Sequence, residues 1–142
     1  MTSATTPKTI VLGGVCHQRE GVASVAIIPG MLVALGAAQA IAPHATADQQ
    51  AQSAWALEFA MTGRGIDDQV VYGIAEEGSR IYAWLAASQT IADGAKLTSN
   101  GDGRLKAAST DDFVVAEARE AVTTTGSPAR IRVEISRGRT NP

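Results

Sequence analysis

The stretch Thr90-Ile-Ala-Asp-Gly-Ala-Lys-Leu-Thr-Ser-Asn-Gly-Asp-Gly-Arg-Leu-Lys-Ala-Ala108 decides the fold class, because it holds every part of a β supersecondary unit. Asp93-Gly94 supplies a tight turn, and Lys96 to Ser99 is a short β-friendly run. Asn100-Gly101-Asp102-Gly103 then offers the residues that tolerate positive φ in a hairpin loop, before Arg104-Leu105-Lys106 brings the chain back. The stretch carries no reactive group. It has an echo about sixty residues upstream. Ile28-Pro-Gly-Met-Leu-Val33 matches Ala92-Asp-Gly-Ala-Lys-Leu97 in outline, Ala40-Ile-Ala42 matches Arg104-Leu-Lys106, and Ala56-Leu-Glu-Phe-Ala60 matches Val115-Ala-Glu-Ala-Arg119. The self-similarity predicts two related β units packed into one domain.

The same signals recur outward from this unit. Thr9 to Leu12 is β-branched and ends at Gly13-Gly14; Gly21 to Ile28 closes at Pro29-Gly30; Met31 to Leu35 and Ala40 to Ala42 follow as strands. Thr46 to Thr62 fits two readings. Thr46 and Gln49 have capping-box spacing, with Ala51, Trp55 and Phe59 at helical intervals, whereas Trp55, Leu57, Phe59 and Met61 alternate with Ala56, Glu58 and Ala60. Strict alternation of bulky residues favours a strand from Trp55 to Met61. Val70 to Ala75 and Arg80 to Ala87 flank Glu76-Glu77-Gly78-Ser79 and read as a hairpin. The returning strand is apolar on both faces, Ile81, Ala83 and Leu85 on one and Tyr82, Trp84 and Ala86 on the other, so both need cover. Phe113 to Ala118 and Arg130 to Ile135 complete the pattern, the latter with Ile131, Val133 and Ile135 inward. About eight to ten short strands at intervals of about 8 to 12 residues predict an all-β fold, a small barrel or sandwich of antiparallel strands.

The 142 residues suit one domain. Residues 1–8 read as a flexible Ser/Thr/Pro-rich arm, 9–135 as a single β-rich domain and 136–142 as a flexible tail. With two Trp, two Tyr and two Phe, the core must be built from small aliphatic side chains, which gain little burial each. Oligomerisation or docking on a larger body would supply the missing stability. The net charge of −2 provides no basic face for nucleic acid. Residues 1–60 hold only Lys8, Arg19, Glu20, Asp48 and Glu58, against 21 charged residues afterwards. The charge-free run Gly21 to Ala47 raises a membrane span, but Pro29-Gly30 breaks it and no Lys/Arg cluster flanks it. The first residues lack the positive start of a signal peptide. Cys16 is the single cysteine, so no intramolecular disulfide forms.

No catalytic constellation emerges. Cys16 and His17 are adjacent, and in an extended segment adjacent side chains point to opposite sides. His44 follows Pro43 in a turn-like context and reads as a solvated loop residue. Asn100-Gly-Asp-Gly103 resembles a calcium loop only superficially, because Thr98 and Ser109 would stand where its strongest carboxylate ligands belong. Asp67-Asp68, Glu76-Glu77 and Asp111-Asp112 sit beside turns as solvated acids, and the GxG pieces at Gly63 and Gly101 lack a following helix. The reading is a non-enzyme with no cofactor and no metal.

Thr62-Gly-Arg-Gly-Ile-Asp-Asp68, Ile81-Tyr-Ala-Trp-Leu-Ala-Ala87, Ala92 to Leu105, Val115-Ala-Glu-Ala118 and Ala129-Arg-Ile-Arg-Val-Glu-Ile135, in this order, resemble the capsid decoration (cement) proteins of tailed bacteriophages. The resemblance spans residues 55 to 135, with weaker support in Val22 to Leu35. It implies a β-tulip or barrel domain that forms homotrimers on the outer surface of an icosahedral head, made in the host cytoplasm. There it would clamp neighbouring major capsid proteins against the pressure of packaged DNA, with an extended N-terminal arm taking part. The arm Thr2, Ser3, Ala4, Thr5, Thr6 and Pro7 becomes the candidate capsid contact, and Tyr82 and Trp84 the candidate subunit interface. The competing arrangement packs that aromatic face under Gly21 to Leu35 of the same chain. No membrane and no nucleic acid are expected as partners. The alternative function is a small β-barrel ligand-binding or single-strand-binding module, which needs a basic groove with stacking aromatics.

Overall fold

The computed structural model describes residues 10–23, 25–36, 39–49, 51, 53–57 and 69–141, with side chains at all of these but 69 and 137–139. The expected arm at residues 1–8, the Thr62 to Asp68 loop and the Glu58 to Met61 part of the expected strand lie outside them. Every regular element among the described residues is a strand, and the chain is all-β.

After β1 (Val11–Gly13), five strands form a closed barrel: β2 (Cys16–Ala23), β3 (Leu32–Leu35), β4 (Ala40–Pro43), β5 (Ala54–Ala56) and β6 (Gln69–Ala75), in the order β2-β4-β3-β5-β6. The neighbours are antiparallel except β2 and β4, which run parallel. The chain then lays down β7 (Arg80–Leu85), β8 (Thr90–Ile91), β9 (Lys96–Ser99), β10 (Leu105–Ala107), β11 (Phe113–Ala118), β12 (Val122–Thr123) and β13 (Ala129–Thr140). Five of these take the order β7-β10-β9-β11-β13, and pairing of β13 with β7 closes them. Here too the one parallel contact joins the first strand, β7, to the third, β10. β1 adds to β7 from outside, while β8 and β12 form a separate ribbon.

The two five-stranded units are therefore topological duplicates, and the duplication reaches individual hydrogen bonds. At the first turn Gly30 N–H donates to Ala56 O (2.8 Å), Met31 N–H to Ile28 O (3.2 Å) and Ala56 N–H to Met31 O (2.9 Å). At the second, Gly94 donates to Ala118 (2.8 Å), Ala95 to Ala92 (3.1 Å) and Ala118 to Ala95 (2.9 Å). The hairpins agree in register, Leu35↔Ile41 beside Ser99↔Leu105. The sequence echo at 28–33 and 40–42 holds. At the third segment it is corrected: Ala56 corresponds to Ala118, three residues from the Val115 expected, because the loops joining the strands differ in length.

Three other expectations change. Glu76 to Ser79 does not close a hairpin, since β6 pairs with β2 and β5 while β7 pairs with β1, β10 and β13. The turn is instead the crossing between barrels. Ser79 Oγ accepts from Val15 N–H (2.9 Å) and donates to Val15 O (2.7 Å), and Gly78 N–H donates to Ile135 O (3.0 Å), which holds the crossing in place. The tail expected from Ser136 stays in the sheet to Thr140, because β11 continues to offer partners, Val114↔Arg139 and Phe113↔Thr140. Thr46 to Gln49 is a turn, and β5 starts at Ala54.

Each barrel has a core. Ala23, Ile27, Val33, Ile41, Ala54, Ala56 and Val70 fill the first. Ile81, Ala83, Leu85, Leu97, Leu105, Ala116, Ile131, Val133 and Ile135 fill the second. Alternation along β3 and β5 gives the first barrel a second apolar face, Leu32, Trp55 and Leu57, and these join the second core. Leu32, Trp55 and Leu57 are all fully buried. The seam is also polar where backbone groups need partners: Leu32 N–H donates to Gly103 O (2.9 Å) and Gly103 N–H to His44 O (3.2 Å). His44 is buried, not solvated as expected, with Nδ1 2.7 Å from Ser99 Oγ. The loop that carries it is pinned under the Asn100 to Gly103 turn of the other barrel.

Candidate interaction surface

On β7 the alternation places Ile81, Ala83 and Leu85 inside, so Arg80, Tyr82 and Trp84 point outward. β13 pairs alongside, Arg130↔Trp84, Arg132↔Tyr82 and Glu134↔Arg80, and its outward positions lie on the same face. The Arg130 guanidinium stacks over both rings, 4.6 Å from the Trp84 centroid and 5.1 Å from that of Tyr82. Its Nη1 donates to Tyr82 O (3.3 Å). Burial pulls the Arg130 pKa below its usual value, opposed by Tyr82, and the guanidinium stays charged.

Trp84 is partly covered from within the chain. It packs with Ile28 and Leu35 against the first core, and its indole N–H donates to Pro29 O (2.8 Å). The turn that covers it needs Gly30, at φ +93°, where a Cβ would lie 2.8 Å from Tyr82 O. The Trp84 ring, but not Tyr82, thus lies against the Gly21 to Leu35 segment. Tyr82 remains half-buried beneath Arg130.

Beyond the rings the face becomes a charged network. Arg119 Nε donates to Glu134 Oε1 (3.1 Å) and its Nη2 lies 3.6 Å from Glu117 Oε1, while Lys96 Nζ reaches Glu117 Oε2 (3.1 Å). The hydrogen bond to Glu134 raises the Arg119 pKa, and the same bond holds the Glu134 carboxyl below its usual range. A cleft opens here, lined by Leu12, Arg80, Arg119, Arg132 and Val133. Among the described residues Arg80, Arg130 and Arg132 have no carboxylate within ion-pair distance. Sequence reading found Tyr82 and Trp84 but missed the arginines, because sheet pairing across roughly fifty residues brings them together. The outward alternation of Arg130 and Arg132 was the available signal.

The other candidates stay apart from this face. Cys16 and His17 diverge as extended neighbours do: Cys16 packs over Gly73, and His17 Nε2 lies 2.6 Å from Glu76 Oε2. Burial raises the Cys16 pKa, which favours the protonated thiol over the thiolate. The Asp102 carboxylate, read against a calcium loop, is taken by Asn100 Nδ2 (3.2 Å) and Arg104 Nη1 (2.9 Å). Among the described residues no three His, Cys, Asp or Glu side chains converge as metal ligands, and no helix is long and apolar enough to cross a membrane. The arm residues Thr2 to Pro7 lie outside the described residues.

No protein-family model and no curated protein matches the sequence. Among solved structures, the chain is similar to the head fiber gp8.5 N base of bacteriophage phi29, with a TM-score of 0.62 and 15% identity over 90% of this chain and 100% of that one. The two proteins share the fold across the full length of the phage protein's base.

Proposed function

We propose that this protein is a structural component of a phage virion, bound to the outside of the head. The observation that carries this reading is the likeness of nearly the whole chain to the base of a phage head fiber protein, which agrees with the decoration-protein resemblance of the sequence. The more specific reading is that it clamps neighbouring copies of the major capsid protein, as a homotrimer with the Thr2 to Pro7 arm in contact with the shell. Trp84 is engaged within its own chain and Arg130 stacks on both rings, so the half-buried Tyr82 together with the arginines around it is what this face offers a neighbour. Trp, Tyr and Arg are the residues that dominate binding energy at protein interfaces. Weak contacts suffice for such a clamp, because each later engagement occurs at high effective concentration.

The test is cosedimentation of purified protein with undecorated heads of the phage that encodes it, with negative-stain images of the same particles. Saturable binding as threefold features on the shell is expected; free protein at all ratios overturns the reading. Light scattering coupled to size exclusion gives a homotrimer mass if the finer assignment is right.

The single-strand-binding alternative is favoured by one observation, the basic residues around Tyr82 and Trp84. Against it, Arg130 already occupies both rings, and Glu117 and Glu134 interrupt the positive surface.

A further inference from the structure

The duplication makes the two barrels comparable position by position, and their outer faces differ in one respect. Register places Leu32 with Lys96, Trp55 with Glu117, Leu57 with Arg119 and Val71 with Arg132. On the first barrel this face is apolar and buried against the second. On the second barrel the same face is open and charged, and it contains the cleft between Arg80, Arg119 and Arg132.

We propose that this open face of the second barrel docks an acidic segment of a partner protein, whose carboxylates enter the arginine cleft. The inference gives the partner chemistry of the head-binding reading and rests on it. A plain polar cap at the end of a two-barrel array needs only mixed, mutually satisfied charges. Lys96, Glu117, Arg119 and Glu134 are of that kind. Arg80 and Arg132 are not: neither side chain makes an ion pair among the described residues, Glu134 facing Arg80 only across the strand pair and Glu120 accepting the Arg132 backbone N–H (2.9 Å). Guanidinium forks match carboxylates bidentately, and the Arg119 fork is held in place by Glu134 and Glu117. Leu12, 42% exposed at the rim, adds an apolar contact next to the charges. An acidic protein segment fits better than nucleic acid, because Glu117, Glu120 and Glu134 interrupt the continuous basic stripe that a phosphate backbone follows, whereas a peptide can place one or two carboxylates on Arg80 and Arg132 alone.

The full chain titrated calorimetrically with a capped hexaglutamate peptide at low salt should show saturable binding that weakens as salt rises. Arg80→Gln with Arg132→Gln should weaken it about tenfold or more, whereas Arg19→Gln on the first barrel leaves it unchanged. Arg80→Lys with Arg132→Lys keeps the charge and loses the fork, and should also bind more weakly. Circular dichroism melts confirm that each variant is folded. Absent binding, equal binding by the Gln pair, or tighter binding of a hexathymidylate of equal charge overturns the proposal. Heads that bind wild type and the Gln pair alike overturn it and leave the head-binding reading standing. Failure of wild type to bind heads removes that reading, and the peptide titration decides this one separately.

Discussion

His44 shows how far a single side chain depends on distant sequence. Pro43-His44 has the local look of a solvated turn, yet the imidazole is buried against Ser99 of the other barrel. Nothing within ten residues of it encodes that partner. Ser99 Oγ also accepts Gly101 N–H (3.1 Å), so the pair fixes both sides of the seam. His44→Ala should cost about 1–3 kcal/mol, the usual penalty for leaving a buried polar group unmade, and urea unfolding measures it. Loss of less than a few tenths would mean that water replaces the ring without cost. Asp102 makes the opposite kind of contact, half-exposed and local. Burial pushes its carboxyl up, but hydrogen bonds from Asn100, from Arg104 N–H (3.2 Å) and from the Arg104 side chain outweigh this and hold the pKa down. A carboxyl depressed in the folded state stabilises it above the unfolded pKa, and that contribution fades as pH falls through the folded one. Glu134, depressed by its bond to Arg119, behaves in the same sense. Melting temperature should therefore decline below about pH 4, and Asp102→Asn should flatten part of that decline. An unchanged pH profile in the variant would show that the loop carboxylate contributes nothing.

Individual elements were legible where the signal was local. The hairpin β9–β10 follows from Asn100-Gly-Asp-Gly103, with Gly101 at φ +90° and Gly103 at φ +83°, and β11 has the bounds the sequence suggests. The pairing of β6 and β7 was misread because a turn fixes only that the chain bends, while partner choice is made by strands far away. The tail was misread because Ser136 to Thr140 has no apolar alternation; its order comes from the ladder with β11. The repeated turns offer a controlled comparison. Gly30 and Gly94 occupy equivalent positions with φ +93° and +89°, yet a Cβ at Gly94 meets nothing within 4 Å, whereas one at Gly30 runs into Tyr82 O and Trp84. Gly94→Ala should cost only the left-handed backbone, about 1–2 kcal/mol. Gly30→Ala should cost about 1–3 kcal/mol more. Trp84→Ala should lower stability without releasing folded monomers, because its packing partners belong to its own chain. Equal costs at Gly30 and Gly94 would show that the Pro29-Gly30 turn does not bear on β7.

At the scale of the whole molecule, the duplication explains the lopsided charge of the sequence. The first barrel has little need of charge because Leu32, Trp55 and Leu57 turn its outer face into part of the second core. The second barrel keeps Lys96, Glu117 and Arg119 at the matching positions, where the surface is open. The barrels are therefore unequal halves of one folding unit. Separate units would expose the seam, including a fully buried Trp, and burying such a side chain is worth about 1.5–3 kcal/mol or more. That is a large share of the stability of a domain this size. Thermal unfolding should accordingly be a single transition, with calorimetric and van't Hoff enthalpies equal. Trp55→Ala should lower the melting point of the whole transition by several degrees, as a core deletion of about 3–5 kcal/mol does, without splitting it in two. Two resolved transitions in the wild type, with Trp55→Ala shifting only one, would show that the barrels fold independently and that the seam is a contact between finished domains.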